Sequence, residues 1–557
     1  MTSKVAIAIS GAVSLGSYEA GVVYELLDAI GQHNRNNADR PERQVLVDVL
    51  TGASAGGMTA AMLAQKLLYS SDSLATPYGN DLYRAWVEQV DIRGLLSNDY
   101  DDNPGQSLLS SNFVGTVADQ MLLARYRASH RPVSHHPAAA PSLQLALAMS
   151  NLNGVDYAVS AFKNASLDAE TGYFVQTRFE DSFTRKVDLS SDNPGFWNQV
   201  KQAARACGAF PTAFAPLSLE RLYEEVDYRE KALPFERSRF AYVDGGTFNN
   251  YPLGLAKGLV DKLDRQPRDY ENRYYFYIAP NSKDSTRSDF TADDADPFNT
   301  SLAITSAIFN QARFQDWILT GHYNRLVAEM DTRADDLCRH LLQADTSAIE
   351  AMEHTCDVLL AEIYRREASR DRLAEARILA ERYREDALAQ QLLAEKGQRA
   401  FTTWIKAVQV LESGGRLHDK DNMQIYTITA SNNELAGAEL YGFLGFLERR
   451  FREHDYNLGR KKARELLSRL QAVNRNGGQT GERHLPLQDF QFADDLPDIP
   501  DLGNAGINDV AIQVRRELSR RVRQRLNLWL KKEGANWFLR KAALWMAEAK
   551  LRRQLNL

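Results

Sequence analysis

The stretch "VLTGASAGGM", Val49 to Met58, decides how this chain is read. It continues the apolar run "VLVDVL" and sets Ser54 among Gly52, Ala53, Ala55, Gly56 and Gly57. An apolar run of this kind is a strand, and the residues from about Gly57 to Leu68 follow as a helix. Gly-x-Ser-x-Gly between the two has the form of a nucleophile elbow. Small neighbours let the turn tighten without side chains striking the adjacent strands. The start of the helix then brings its positive dipole end to the hydroxyl. A bare strand-to-helix turn needs the same small residues, so the motif alone leaves both readings open.

Further strands are predicted at Val5–Ile9, Leu143–Met149, Phe240–Val243 and Tyr274–Ile278. Between them lie helical patterns. Ala20, Val23, Leu27 and Ile30 recur at steps of three and four, and Pro252 opens a helix running to Leu263. Strands alternating with helices imply an α/β fold with a mainly parallel central sheet flanked by helices. Residues 70–142, with "SNDYDDNPGQS" and "HRPVSHHPAAAP", read as a lid-like insertion. "NSKDSTRSDFTADDADP", Asn281 to Pro297, reads as an acidic surface loop. Beyond about residue 300 no further strand is expected. Residues 1–325 are therefore expected to form the catalytic domain, and residues 326–557 a mostly helical C-terminal region.

The 557 residues carry a net charge of −6, which hides an asymmetry. The tail, residues 511–557, holds 13 Lys/Arg against 3 Asp/Glu. Val514, Leu518, Val522, Leu526 and Trp529/Leu530 share one helical face there, followed by Trp537, Phe538 and Trp545. Basic amphipathic helices with tryptophan suit anionic membrane interfaces, but packing on the acidic body of the chain would give the same pattern. Three cysteines make no disulfide framework, and no Cys-x-x-Cys pair suggests zinc. Neither a signal peptide nor a transmembrane run is apparent, so a cytoplasmic or peripheral membrane protein is expected.

A serine nucleophile needs a base. None of the ten histidines sits in a motif that can be tied to Ser54. "AYVDGGTFNNYPL", Ala241 to Leu253, offers Asp244 at a strand end before Gly245 and Gly246. An ordinary aspartate is a feeble base, so Asp244 would have to be poorly solvated and in direct contact with the hydroxyl. The simpler reading is an Asp-Gly turn. Near the N-terminus, "SGAVSLGSYEAG", Ser10 to Gly21, is a glycine-bearing loop opening a helix. It lacks the Lys-Ser/Thr of a P-loop and the Gly-x-Gly-x-x-Gly of a dinucleotide site. An oxyanion hole fits it better than a phosphate site.

In this order, the three segments resemble the patatin-like phospholipase family. "GASAGG" is similar to that family's nucleophile motif, and "VDGGTFNNYPL" to its Asp-Gly-Gly/Ala segment with the Asn-x-Pro continuation. "AARACGAFPTAFAPLSL", Ala203 to Leu219, is similar to a third family stretch, and "FREHDYNLGRKKA", Phe451 to Ala463, to a late segment of some bacterial members. The resemblance implies a Ser54–Asp244 dyad, motif-flanking Gly52, Gly56, Gly245 and Gly246, and an oxyanion loop with Gly11, Ala12, Val13 and Gly16. It implies a lipid acyl hydrolase of the phospholipase A or lysophospholipase kind, acting on a lipid or membrane-surface substrate. No metal, cofactor or nucleic acid is expected.

One departure matters. The family usually reads Gly-Gly-Gly-x-Arg/Lys-Gly, whereas "GAVSLG" stands here. β-branched Val13 resists a positive φ, and Leu15 replaces the basic residue. A catalytically weak or silent lipid-binding scaffold is therefore the alternative function. A triad hydrolase using a histidine such as His322 is a third.

Overall fold

A computed structural model gives the architecture. It describes residues 2–100, 106–129, 132–159, 174–211, 213–229, 232–236, 238–248, 252–264, 272–280, 290–291, 300, 303–304, 307–308, 311, 329–330, 332–366, 372–384, 386–415, 423–438, 442–475, 484–503, 505–534 and 536–557. His322, the Asn-x-Pro asparagine Asn250, Thr212 and nearly all of the acidic stretch 281–297 lie outside the described residues.

By contact the chain divides into two compact units. The first comprises Met1–Val260, Asn272–Asp316 and Gln424–Leu557; the second, Asp261–Glu271 and Trp317–Met423.

The first unit is built on one mixed sheet. Its strands are β1 (Ser3–Ile9), β2 (Val45–Gly52), β3 (Ala139–Val159), β4 (Phe174–Val187), β5 (Leu217–Arg221), β6 (Ser238–Asp244), β7 (Arg273–Ile278) and β8 (Gln424–Ile428). Their order is β5-β6-β3-β2-β1-β7-β8, with β4 also paired to β3. The run from β3 to β8 is parallel, whereas β4, β5 and β6 pair antiparallel. The central strands β1 and β7 are nearly wholly buried, as their unbroken apolar runs require.

Two expectations change here. A strand does occur after residue 300, since β8 lies parallel to β7. Its five residues "QIYTI" are too short for their pattern to announce them. The long antiparallel partner β4 was also not foreseen. Its sequence "FVQTRFEDSFTRKV" is largely polar because much of it faces solvent.

Helices α1 (Gly16–Asn36), α2 (Ala55–Tyr69), α3 (Ser111–Ala118), α4 (Pro194–Cys207) and α5 (Pro252–Leu263) follow along the chain. Helices α6 (Thr346–Arg366), α7 (Arg372–Arg382) and α8 (Ala387–Gly415) belong to the second unit, where Cys338, Leu341, Ile349, Leu392 and Trp404 are among the core residues.

Back in the first unit, α9 (Arg449–Arg475) lies along α1. The two backbones come so close that a Cβ at Gly21 would strike the Tyr456 carbonyl, and one at Gly459 the Tyr18 carbonyl. Beside that crossing, buried Arg460 meets buried Glu25 at 2.7 Å, and Arg464 meets the same carboxylate at 2.9 Å.

The basic tail forms α10 (Ile512–Lys532) and α11 (Trp537–Gln554). Val514, Leu518 and Val522 pack on the main core. Arg525 donates to the Ser97 carbonyl at 2.5 Å, and Glu517 pairs with Arg93 at 3.3 Å. In α11, by contrast, Trp537 and Trp545 are 55% and 72% exposed. Among the described residues, no helix is long and apolar enough to cross a membrane.

Candidate active site

Sheet register brings Ser54 and Asp244 level. Gly52 of β2 pairs with Leu147 of β3, and Met149, two residues further along β3, pairs with Asp244 of β6. Ser54 lies two residues beyond Gly52, so it emerges opposite Asp244, with β3 between their strands. The contact is thus made across an intervening strand.

The turn at Ser54 is sharp. The residue sits at φ 52°, ψ −126°, a strained region that surrounding packing has to hold. The neighbours show why only small residues fit. A Cβ at Gly52 would strike the Gly56 carbonyl, and one at Gly56 the Ile9 carbonyl. Cys207 fills the space beneath: its Sγ lies 3.8 Å from the Ser54 carbonyl, and a Cβ at Gly57 would strike it. Burial pushes its thiol well above the usual range, which suits a packed cysteine.

Ser54 Oγ donates to Asp244 Oδ2 at 2.6 Å, while Gly246 N donates to Oδ1 at 2.7 Å. The Asp244 carboxyl is fully buried. Burial is the main influence on it and pushes its pKa up to about 7, against the lowering effect of the Ser54 and Gly246 hydrogen bonds. This is the poor solvation that an aspartate base needs. Gly245 follows directly, where a Cβ would run into the Ala148 carbonyl.

The N-terminal loop lies at the same end of the sheet. Ala53 N donates to the Ile9 carbonyl at 3.1 Å, tying the elbow to the end of β1. Val13 adopts φ 53°, the conformation its branched side chain resists. Gly16 N is engaged with the Val13 carbonyl at the start of α1.

Ser54 opens onto an apolar pocket. Residues 70–142 supply Trp86, Leu95, Met121 and Leu122 to its lining, and the segment before α9 supplies Phe443 and Phe446. Val13 borders the same space, as do Phe210 and Phe214 from the "GAFPTAFAP" stretch. No sequence periodicity pointed to Phe443 or Phe446; two aromatics in a glycine-flanked cluster were the available signal. His136, by contrast, is buried away from this pocket, and burial lowers its pKa to about 4.

A serine at a strained strand-to-helix turn, at the end of an interior strand of an α/β sheet, has the geometry of a nucleophile elbow. Residues 7–257 match the family model for patatin-like phospholipase, and this part of the chain is a patatin-like phospholipase domain.

Two curated relatives carry descriptions that name no activity. An uncharacterized protein y4iI of Sinorhizobium fredii is 26% identical over 352 residues, covering 50% of this chain and 49% of that protein. An uncharacterized membrane protein Rv3479 of Mycobacterium tuberculosis is 27% identical over 326 residues, covering 50% of this chain and 27% of that protein. The chain therefore spans at most about half the length of these relatives. The crystal structure of VipD from Legionella pneumophila aligns at 10% identity over 99% of this chain and 88% of that one. Its TM-score of 0.23 is too low to bear on the fold.

Proposed function

We propose that the chain is a lipid acyl hydrolase that cleaves carboxyl esters through Ser54 and Asp244. The observation that carries this reading is the 2.6 Å hydrogen bond from the Ser54 hydroxyl to a fully buried carboxylate, beside an apolar pocket.

Asp244 takes the Ser54 proton as Oγ attacks the acyl carbonyl. The resulting oxyanion is held by main-chain amides of the Gly11–Gly16 loop. Collapse breaks the ester C–O bond, and protonated Asp244 returns the proton to the departing alcohol. Water then attacks the acyl-Ser54 ester and gives a proton to Asp244. Release of the fatty acid returns that proton to Ser54 Oγ. The pocket lined by Trp86, Met121 and Phe443 takes the acyl chain.

The substrate sits in or on a membrane, and the chain acts as a cytoplasmic or peripheral membrane protein. Trp537, Lys541 and Trp545, at steps of four along α11, form an exposed face that suits an anionic lipid surface.

The alternative, a silent lipid-binding protein, draws on the altered "GAVSLG" loop. Fluorophosphonate labelling and ester turnover by wild type, Ser54→Ala and Asp244→Ala separate the two. Equal labelling of wild type and Ser54→Ala ends the hydrolase reading, and lipid binding without turnover favours the alternative.

A further inference from the structure

Val13 poses a physical problem. A β-branched residue at φ 53° is strained and persists only where its surroundings over-determine it. Val13 also borders the pocket beside Ser54, so whatever holds it shapes the loop opposite the nucleophile.

The restraint comes from residue 442, more than four hundred positions away. Ser14 N donates to the Gly442 carbonyl at 3.0 Å, and Ser14 Oγ donates to the same oxygen. Gly442 itself stands at φ 82°, and a Cβ there would lie 3.3 Å from Val13 Cβ. Glycine is thus required both by the backbone conformation and by the approach to Val13.

Behind it stands a second layer. Asp455, on α9 and fully buried, accepts from Ala436 N at 2.7 Å and from Gly437 N at 2.8 Å. Gly437 is in turn pressed against the loop: a Cβ on it would lie 3.1 Å from Ser14 Oγ. Asp455 belongs to the "FREHDYNLG" segment, whose Gly459 fixes α9 against α1.

We infer that Gly442 and Gly437, the latter held by Asp455, act as a positioning clamp that keeps the oxyanion loop at Val13 in its left-handed conformation. A glycine at position 13 would adopt this loop path without such support; valine resists it, and the clamp supplies what the missing glycine would. This rests on the hydrolase reading above for its catalytic consequence, but not for the clamp itself.

The test uses the full chain and two readouts. Hydrogen exchange of the 10–17 peptide reports the clamp, and turnover of a soluble short-chain ester reports its consequence. Ser14→Ala and Gly442→Ala should speed exchange in that peptide and lower kcat about tenfold with little change in KM. Val13→Gly should rescue kcat in the Ser14→Ala background, because glycine holds a positive φ unaided. A residue needed only for general stability would give no such rescue. Thermal melts identify any variant that fails to fold, and Val13→Gly/Ser14→Ala then carries the comparison with Val13→Gly alone. Unchanged exchange in both Gly442→Ala and Ser14→Ala, the latter of which keeps the Ser14 N bond, overturns the clamp whatever the activity. Faster exchange with wild-type kcat, or lost kcat that Val13→Gly does not restore, overturns its role in positioning. Wild type without Ser54-dependent labelling or turnover refutes the hydrolase reading and with it the catalytic consequence, while exchange still judges the clamp.

Discussion

Ser54 Oγ and Asp244 Oδ2 are 2.6 Å apart although 190 positions separate them in the chain. The contact is made by sheet register, with β3 as the spacer between β2 and β6. If this pair performs the chemistry, Ser54→Ala and Asp244→Asn should each lower ester turnover by about a thousandfold or more. Both proteins should fold, because each change is nearly isosteric. A steady-state assay beside circular dichroism checks this, and a fully active Asp244→Asn would remove the proposed base.

Asp244 sets a pH dependence in two directions. Turnover needs the ionised carboxylate, so kcat/KM should rise to a plateau above an acid limb near its pKa of about 7. Stability runs oppositely. The native carboxyl holds its proton more tightly than the unfolded one, whose pKa is about 3.9. Its stabilising contribution is therefore full below about pH 4 and is lost as pH rises through about 7. Urea unfolding between pH 5 and 8 should show this slope in wild type and a shallower one in Asp244→Asn.

The pocket predicts chain-length selectivity. Ala118 lines it from the end of α3, and Ala118→Phe would fill part of the acyl space. Long-chain esters should lose about tenfold or more in kcat/KM while butyryl esters lose little. A uniform loss across chain lengths would place the acyl chain elsewhere.

At the tail, Trp537→Ala/Trp545→Ala should weaken binding to phosphatidylserine vesicles several-fold. Raising the salt should weaken wild-type binding as well, since each basic residue near the surface contributes about 1 kcal/mol. Sedimentation with anionic and with neutral vesicles measures both effects. Equal binding of wild type and double variant would leave the exposed tryptophans without this role.

The α1–α9 crossing gives a stability prediction. Glu25 and Arg460 are 1% and 0% exposed, so Arg460→Ala strands much of a buried carboxylate's charge. A loss of about 3 to 5 kcal/mol is expected, softened by Arg464, and chemical denaturation measures it.

Much of this site was legible in local sequence. The elbow around Ser54 is written in consecutive small residues because its constraint is local: neighbouring backbones leave no room for side chains at Gly52 and Gly56. The unbroken apolar runs of β1 and β7 announce buried strands for the same reason, since burial acts on every residue of the run. Asp244 was identifiable as a strand-end carboxylate, but its basicity was not. That comes from complete desolvation, which belongs to the packed sheet and to no single residue.

Tertiary structure alone decided what depends on distant partners. It set β6 antiparallel beside β3, drew the pocket walls from residues 70–142 and from Phe443 and Phe446, and placed Gly442 against Ser14. The chain by itself encodes which backbones bend and which faces avoid water, because those preferences act between near neighbours. Which carbonyl restrains Val13 and which carboxylate meets Ser54 are set only when segments hundreds of residues apart close on one another, since hydrogen bonding and desolvation act through space rather than along the chain.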